Sequence, residues 1–83
     1  MDVEGEVIMI IERVLALGPR AQKFTRASRL MGSVPELDSI AVATLLTSFE
    51  ERFGFTVDDD EIDASTFATL GSLVDFVEAK LTG

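Results

Sequence analysis

The side chains of this sequence that could do chemistry fall in two stretches. One is the hydroxyl within Leu37-Asp38-Ser39-Ile40, and the other is the carboxylate run Asp58-Asp59-Asp60-Glu61 with Asp63. What either can do is limited by what the chain lacks: its 83 residues include no histidine, cysteine, tyrosine or tryptophan. Without histidine there is no side chain whose ordinary pKa suits proton transfer near neutrality. Without cysteine there is no thiolate nucleophile, disulfide framework or zinc finger. A Ser-His-Asp triad, a Cys-His pair and a zinc hydrolase site are therefore excluded. Ser39 has no base beside it in sequence and cannot act unaided as a nucleophile. The acidic run fails as a calcium loop. Counted from Asp58, the sixth position is Asp63 where the turn needs glycine, and the twelfth is Thr69 where a bidentate glutamate is required. No catalytic residue and no metal site is expected, so the chain reads as something presented to enzymes and not as an enzyme.

The elements that must position these residues are helical. Apolar residues recur at three- and four-residue steps, and strand-like alternation is nearly absent. Val3, Val7, Ile10, Ile11, Val14 and Leu17 define a first helix, closed by Gly18-Pro19. A long connector, Arg20 to Glu36, follows. Its Phe24, Leu30, Met31 and Val34 are expected to pack onto the helices, and a connector of this length in so small a domain is often functional. The second helix should begin at Asp38, whose carboxylate can cap it and suits the positive end of its dipole. Val42, Leu45, Leu46, Phe49 and Phe53 line its inner face, with Ala41, Thr44, Ser48 and Glu51 on the wet side and Gly54 at its end. Phe55 to Asp63 is a loop anchored by Val57 and Ile62, and a short helical turn around Ser65 to Ala68 brings in Phe67. The last helix runs from Thr69 or Leu70 to Leu81, with Leu70, Leu73, Val74, Val77 and Leu81 inward. The expectation is an all-α single domain over residues 1–83: a small four-helix bundle of three long helices and one short one, with a long first connector.

Charge sharpens the reading. Fifteen acids against seven bases give a net charge of −8, while 47% of the chain is hydrophobic, as in an ordinary folded domain. Nearly all the negative charge follows Pro35, whereas Arg20, Lys23, Arg26 and Arg29 cluster in the connector, as a solvated face or as partners for the acidic half. So acidic a chain lacks the basic footprint that phosphate contacts need, and nucleic acid is not an expected partner. The apolar run Val7 to Leu17 is short of the roughly 20 residues of a bilayer span and carries Glu12 and Arg13. The acidic start is unlike a secretory signal, so a cytoplasmic protein without a membrane span is expected.

Leu37-Asp38-Ser39-Ile40, read with what surrounds it, resembles the attachment site of acyl carrier proteins, in which an Asp-Ser-Leu triplet opens the second helix. The triplet alone is a weak signal, since any helix cap can contain it, and a Ser39 that only caps a helix is the plain alternative. The resemblance extends over Val7 to Leu81. It includes Glu50-Glu51-Arg52-Phe53-Gly54 at the end of the second helix, then Phe55-x-Val57 and the acidic stretch. Phe67-Ala68-Thr69-Leu70-Gly71-Ser72-Leu73 then opens the last helix. It departs in three places: Ile40 stands for the usual leucine, Glu36 stands where glycine is frequent, and Ala41 and Thr44 replace two acids common after the serine.

The resemblance implies that Ser39 carries 4′-phosphopantetheine, taken covalently from coenzyme A, with Asp38 and Ile40 beside it. It implies a phosphopantetheinyl transferase as the loading partner, Asp38 helping that enzyme and its magnesium to engage. Further partners would be an acyl-loading ligase or synthase and acyl-accepting enzymes with basic docking patches. Glu36, Glu50, Glu51, Asp58, Asp59, Asp60 and Glu61 are the acids expected to meet those patches, through fast, salt-sensitive association. Leu45, Leu46, Phe49, Ile62, Phe67 and Val74 are most simply core, and in the family's manner could also enclose an acyl chain. A monomer is expected, in a specialised pathway and not housekeeping fatty acid synthesis. Within the carrier class an aminoacyl, peptidyl or polyketide cargo is the alternative; outside it, a helical interaction module with no prosthetic group.

Overall fold

The computed structural model describes residues 2–82, the side chain of Asp59 excepted. Three α-helices, α1 (Val3–Leu15), α2 (Ser39–Phe53) and α3 (Leu70–Thr82), carry the bundle, with 3-10 turns at Gly18–Lys23 and Asp59–Glu61. The expected all-α bundle with a long first connector is what forms. Each helix starts on a side-chain cap. Asp2 accepts the Gly5 N–H at 3.1 Å, and Asp38 Oδ1 accepts the Ala41 N–H at 2.8 Å. Thr69 and Ser72 cap α3 reciprocally, each hydroxyl accepting the other's backbone N–H at 3.1 Å.

α1 ends sooner than its apolar pattern suggests. Ala16 turns left-handed, with φ 55°, and the Leu17 N–H reaches back to the Glu12 carbonyl at 3.1 Å. That wrap closes the helix two residues before Leu17, which is buried from the following turn instead. Gly18-Pro19 thus opens the 3-10 turn and does not close the helix.

The core takes Val7, Ile10, Ile11 and Leu15 from α1, Leu45 and Phe49 from α2, and Leu70, Leu73, Val74 and Val77 from α3. The connecting segments add Leu17, Ala21, Leu30, Val34, Leu37 and Phe67, and among the described residues no polar or charged side chain is buried. Four expectations fail at the surface. Met31 is 44% exposed and Leu81 38% exposed. Ala41 and Ser48 are half-buried and not on the wet side of α2, Ala41 lying against the core. Met31 points outward because Leu30 takes the inward position of that segment, and Leu81 lies in the last turn of α3. Val42, Leu46 and Phe53, expected inward, flank the core as half-buried residues.

The connector is fastened. Its residues 26–31 run antiparallel to residues 67–71, with the Leu30 N–H on the Ala68 carbonyl (3.0 Å), Met31 on Phe67 (3.0 Å) and, in return, Leu70 on Ser28 and Gly71 on Arg26 (both 2.9 Å). A Cβ at Gly71 would stand 2.9 Å from the Arg26 carbonyl oxygen, so glycine is needed here for close approach and not for its helical tolerance. Arg26 secures the same junction, pairing with Asp75 at 2.5 Å and with Glu4 at 3.8 Å. Residues 65–68, expected as a short helical turn, form hydrogen-bonded turns, with the Thr66 N–H on the Asp63 carbonyl (3.1 Å) and the Ala68 N–H on the Ser65 carbonyl (3.2 Å).

Candidate functional site

Ser39 is the first residue of α2, at the end of the bundle where α1 finishes. The chain direction follows from Arg52 at the far end of α2 pairing with Glu6 at the start of α1, at 2.6 Å. Asp38 precedes it in extended backbone, φ −112° and ψ −176°, its carboxylate folded over the helix start. The Asp38 carbonyl accepts the Val42 N–H at 2.9 Å. Among the described residues nothing accepts a hydrogen bond from the Ser39 or Ile40 N–H, and the Ser39 hydroxyl has no partner. The site is thus an exposed hydroxyl beside two unspent backbone donors at the positive end of a 15-residue helix. Ile40 is 77% exposed, an apolar side chain left in water next to that hydroxyl.

This geometry suits a phosphodiester. An anion on Ser39 Oγ lies within reach of the free donors, and the exposed first turn leaves room for a chain leading away from the protein. The three residues expected at the site, Asp38, Ser39 and Ile40, are contiguous on this one turn. A bare hydroxyl with no proton acceptor can receive a group and cannot catalyse the transfer alone.

The acids expected to face partners divide in two. Glu36 pairs with Arg20, and that hydrogen bond holds its carboxyl below the usual range. Glu50 accepts the Val57 N–H at 2.7 Å and pins the loop after α2. Glu61 accepts the Asp58 N–H at 2.8 Å and the Lys80 ammonium at 2.7 Å, and both lower its pKa. Glu51, Asp58 and Asp60 are exposed and, among the described residues, their carboxylates have no partner. Asp59 was also expected there, and its side chain lies outside the described residues. Asp63, in the same loop, is committed to Ser65 and Thr66, which depress its pKa.

Of the apolar set, Leu45, Phe49, Phe67 and Val74 are buried in the core, with Leu46 and Ile62 half-buried against it. Two clefts open on the surface elsewhere. One of about 520 Å³ lies between Glu61, Phe76, Ala79 and Lys80, and one of about 150 Å³ between Leu17, Arg20, Phe24, Ser33 and Val34. Sequence reading missed the Arg20–Glu36 tie and the internal duties of Glu50 and Glu61. It also missed the Thr69/Ser72 cap, whose T-x-x-S spacing was a usable signal.

Comparison with known proteins bears on the same turn. The family described as phosphopantetheine attachment site matches residues 36–77, which begin at Glu36 and include all of α2. Among solved structures, the solution NMR structure of a holo acyl carrier protein from Nitrosomonas europaea is similar over 100% of both chains, at 52% identity and a TM-score of 0.91.

Proposed function

Because the chain belongs to the phosphopantetheine attachment family and is an acyl carrier protein, we propose that Ser39 is the residue that takes the 4′-phosphopantetheine arm. The observation that carries this is the first turn of α2, where an exposed hydroxyl stands beside two unpaired N–H groups under the Asp38 cap. When bound, the arm supplies a terminal thiol that holds acyl groups as thioesters. Everything else at the site belongs to the chain. Ser39 offers its oxygen, the Ser39 and Ile40 amides favour the negative charge that arrives there, and Asp38 keeps the turn in register. The proton of Ser39 must leave to a base of the phosphopantetheinyl transferase, because this chain has none in place. The protein itself is a substrate and presenter, not an enzyme.

Partner enzymes, an acyl-loading ligase or synthase and acyl acceptors, dock through basic patches. Glu51, Asp58 and Asp60 are the acids left to meet them, with Glu36, Glu50 and Glu61 contributing charge from positions tied down internally. The first two turns of α2 after Ser39 hold no acid, which favours partners of a specialised pathway over those of housekeeping fatty acid synthesis. An acyl chain would enter between the helices against Leu46 and Ile62, the half-buried members of the set, and displace contacts of Leu45, Phe49, Phe67 and Val74. Among the described residues no helix is long and apolar enough to cross a membrane, and a cytoplasmic monomer is the proposed state.

The test is incubation with coenzyme A and a broad-specificity phosphopantetheinyl transferase, followed by intact mass. Wild type is expected to gain one phosphopantetheine and Ser39→Ala none. No gain in either would return the chain to a helical interaction module, and equal gain in both would move the arm to another residue. Mass spectrometry of the natively loaded arm separates a fatty acyl cargo from an aminoacyl, peptidyl or polyketide one.

A further inference from the structure

The cleft of about 150 Å³ lined by Leu17, Arg20, Phe24, Ser33 and Val34 lies at the Ser39 end of the bundle, since α1 and α2 are antiparallel and Leu17 follows the end of α1. Its chemistry is mixed in a particular way. Leu17 and Val34 are buried and make an apolar floor, half-buried Phe24 adds an aromatic wall, and the exposed Ser33 offers a hydroxyl. Arg20 forms the remaining side and is tied to Glu36, three residues before Ser39. The other oxygen of that carboxylate, Glu36 Oε1, is enclosed and accepts no hydrogen bond among the described residues. A neutral, amide-bearing chain with a bulky apolar group would match the lining: carbon on the floor, and an N–H donor toward the Ser33 hydroxyl.

Such a chain is the one Ser39 would bear. We propose that this cleft is the resting seat of the pantetheine arm, holding its gem-dimethyl and first amide and leaving the thiol end outside. The inference rests on Ser39 as the attachment point. The reach needed is short: the Val34 carbonyl accepts the Leu37 N–H at 3.0 Å, so only Asp38 and Ser39 lie beyond that turn, at most about 7 Å of extended chain, and the geminal methyls and first amide belong to the half of the arm next to the phosphate. A volume of 150 Å³ is below the ~300 Å³ at which pockets enclose whole drug-sized ligands, so the seat takes part of the arm only. Tethering makes weak contacts enough, because the local concentration of a short-tethered group is in the millimolar range. A partner enzyme then draws the arm from a defined position, and the exposed thioester stays available throughout.

The larger cleft, at Glu61, Phe76, Ala79 and Lys80, is a poorer seat. Glu61 adjoins the loop after the far end of α2, the end opposite Ser39.

The experiment is NMR of the isotope-labelled holo protein against its apo form. Amide and methyl shifts are expected to move at Leu17, Ser33 and Val34, with nuclear Overhauser contacts between the geminal methyls and the Phe24 ring. Ser33→Trp, a change at an exposed position, should fill the cleft, abolish those contacts and leave the helix resonances in place. Shifts confined to residues 38–42 in wild-type holo protein, with no contact to Phe24, would overturn the seat. Contacts undiminished in Ser33→Trp would overturn it too. Intact mass of the same sample keeps the two proposals apart, because a protein carrying no arm on Ser39 fails the attachment reading and not the seat.

Discussion

Replacing Asp38 tests how the serine is held. Its carboxylate accepts the Ala41 N–H at 2.8 Å, and no other acid lies in the first turn of α2. In Asp38→Ala that N–H is left to water, at a cost of about 1 kcal/mol for a lost N-cap. The favourable interaction of the charge with the helix dipole goes as well, worth about 0.3–1 kcal/mol at an exposed end. Together the loss is about 1.5 kcal/mol. Set against the ~4–12 kcal/mol expected of a chain this long at 0.05–0.15 kcal/mol per residue, that is a substantial fraction. A domain of this size shifts by about 4–8 °C per kcal/mol, so the Tm should fall by about 6–12 °C. Asp38→Asn keeps an acceptor and loses only the charge, so it should fall by about a third as much. Thermal and urea melts followed by circular dichroism read both variants directly. Equal losses in the two would show that charge and not the hydrogen bond holds the turn. A wild-type melt for Asp38→Ala would refute the capping argument outright.

Three further outcomes are expected. Ala16→Gly should raise stability by about 0.5–1 kcal/mol in the same melts, because a left-handed alanine costs about 1–2 kcal/mol and the glycine's extra unfolded-state freedom takes back part of the gain. Glu36, Glu61 and Asp63 have pKa values below their ordinary ones, so the unfolded chain takes up protons before the folded one as pH falls. Their stabilisation is complete above the ordinary carboxylate range, about pH 4, and is lost as pH drops through the depressed folded values. The urea midpoint should fall accordingly, and less steeply in Lys80→Met. Glu51→Lys should slow loading by a partner enzyme more at low salt than at high, and kinetics unchanged across ionic strength would remove Glu51 from the docking surface.

The helices were legible in the sequence because one face of each is apolar at helical spacing, and Asp38 announced the start of α2 by its type alone. The candidate attachment site was legible for the same local reason: Asp38, Ser39 and Ile40 are neighbours in sequence and on one turn. What escaped depends on partners distant in the chain. Met31 looks as apolar as Leu30, and only the pairing of residues 26–31 with 67–71 decides which of them faces in. Glu50 and Glu61 read as free surface charge, yet one holds the Val57 N–H and the other bridges Asp58 and Lys80. The end of α1 escaped because alanine gives no signal for a left-handed turn.

The lacing of connector to α3 also bears on how the chain acquires its shape. Arg26 and Gly71 are 45 residues apart, so this junction closes a loop more than half the length of the protein. Helical domains fold fast when their contacts are local, and here the segment leading to Ser39 adds a non-local junction to its local turns. During synthesis the α2 serine emerges well before the residues that fasten its approach. Lacing of the connector to α3 therefore waits until Phe67 to Gly71 have been made.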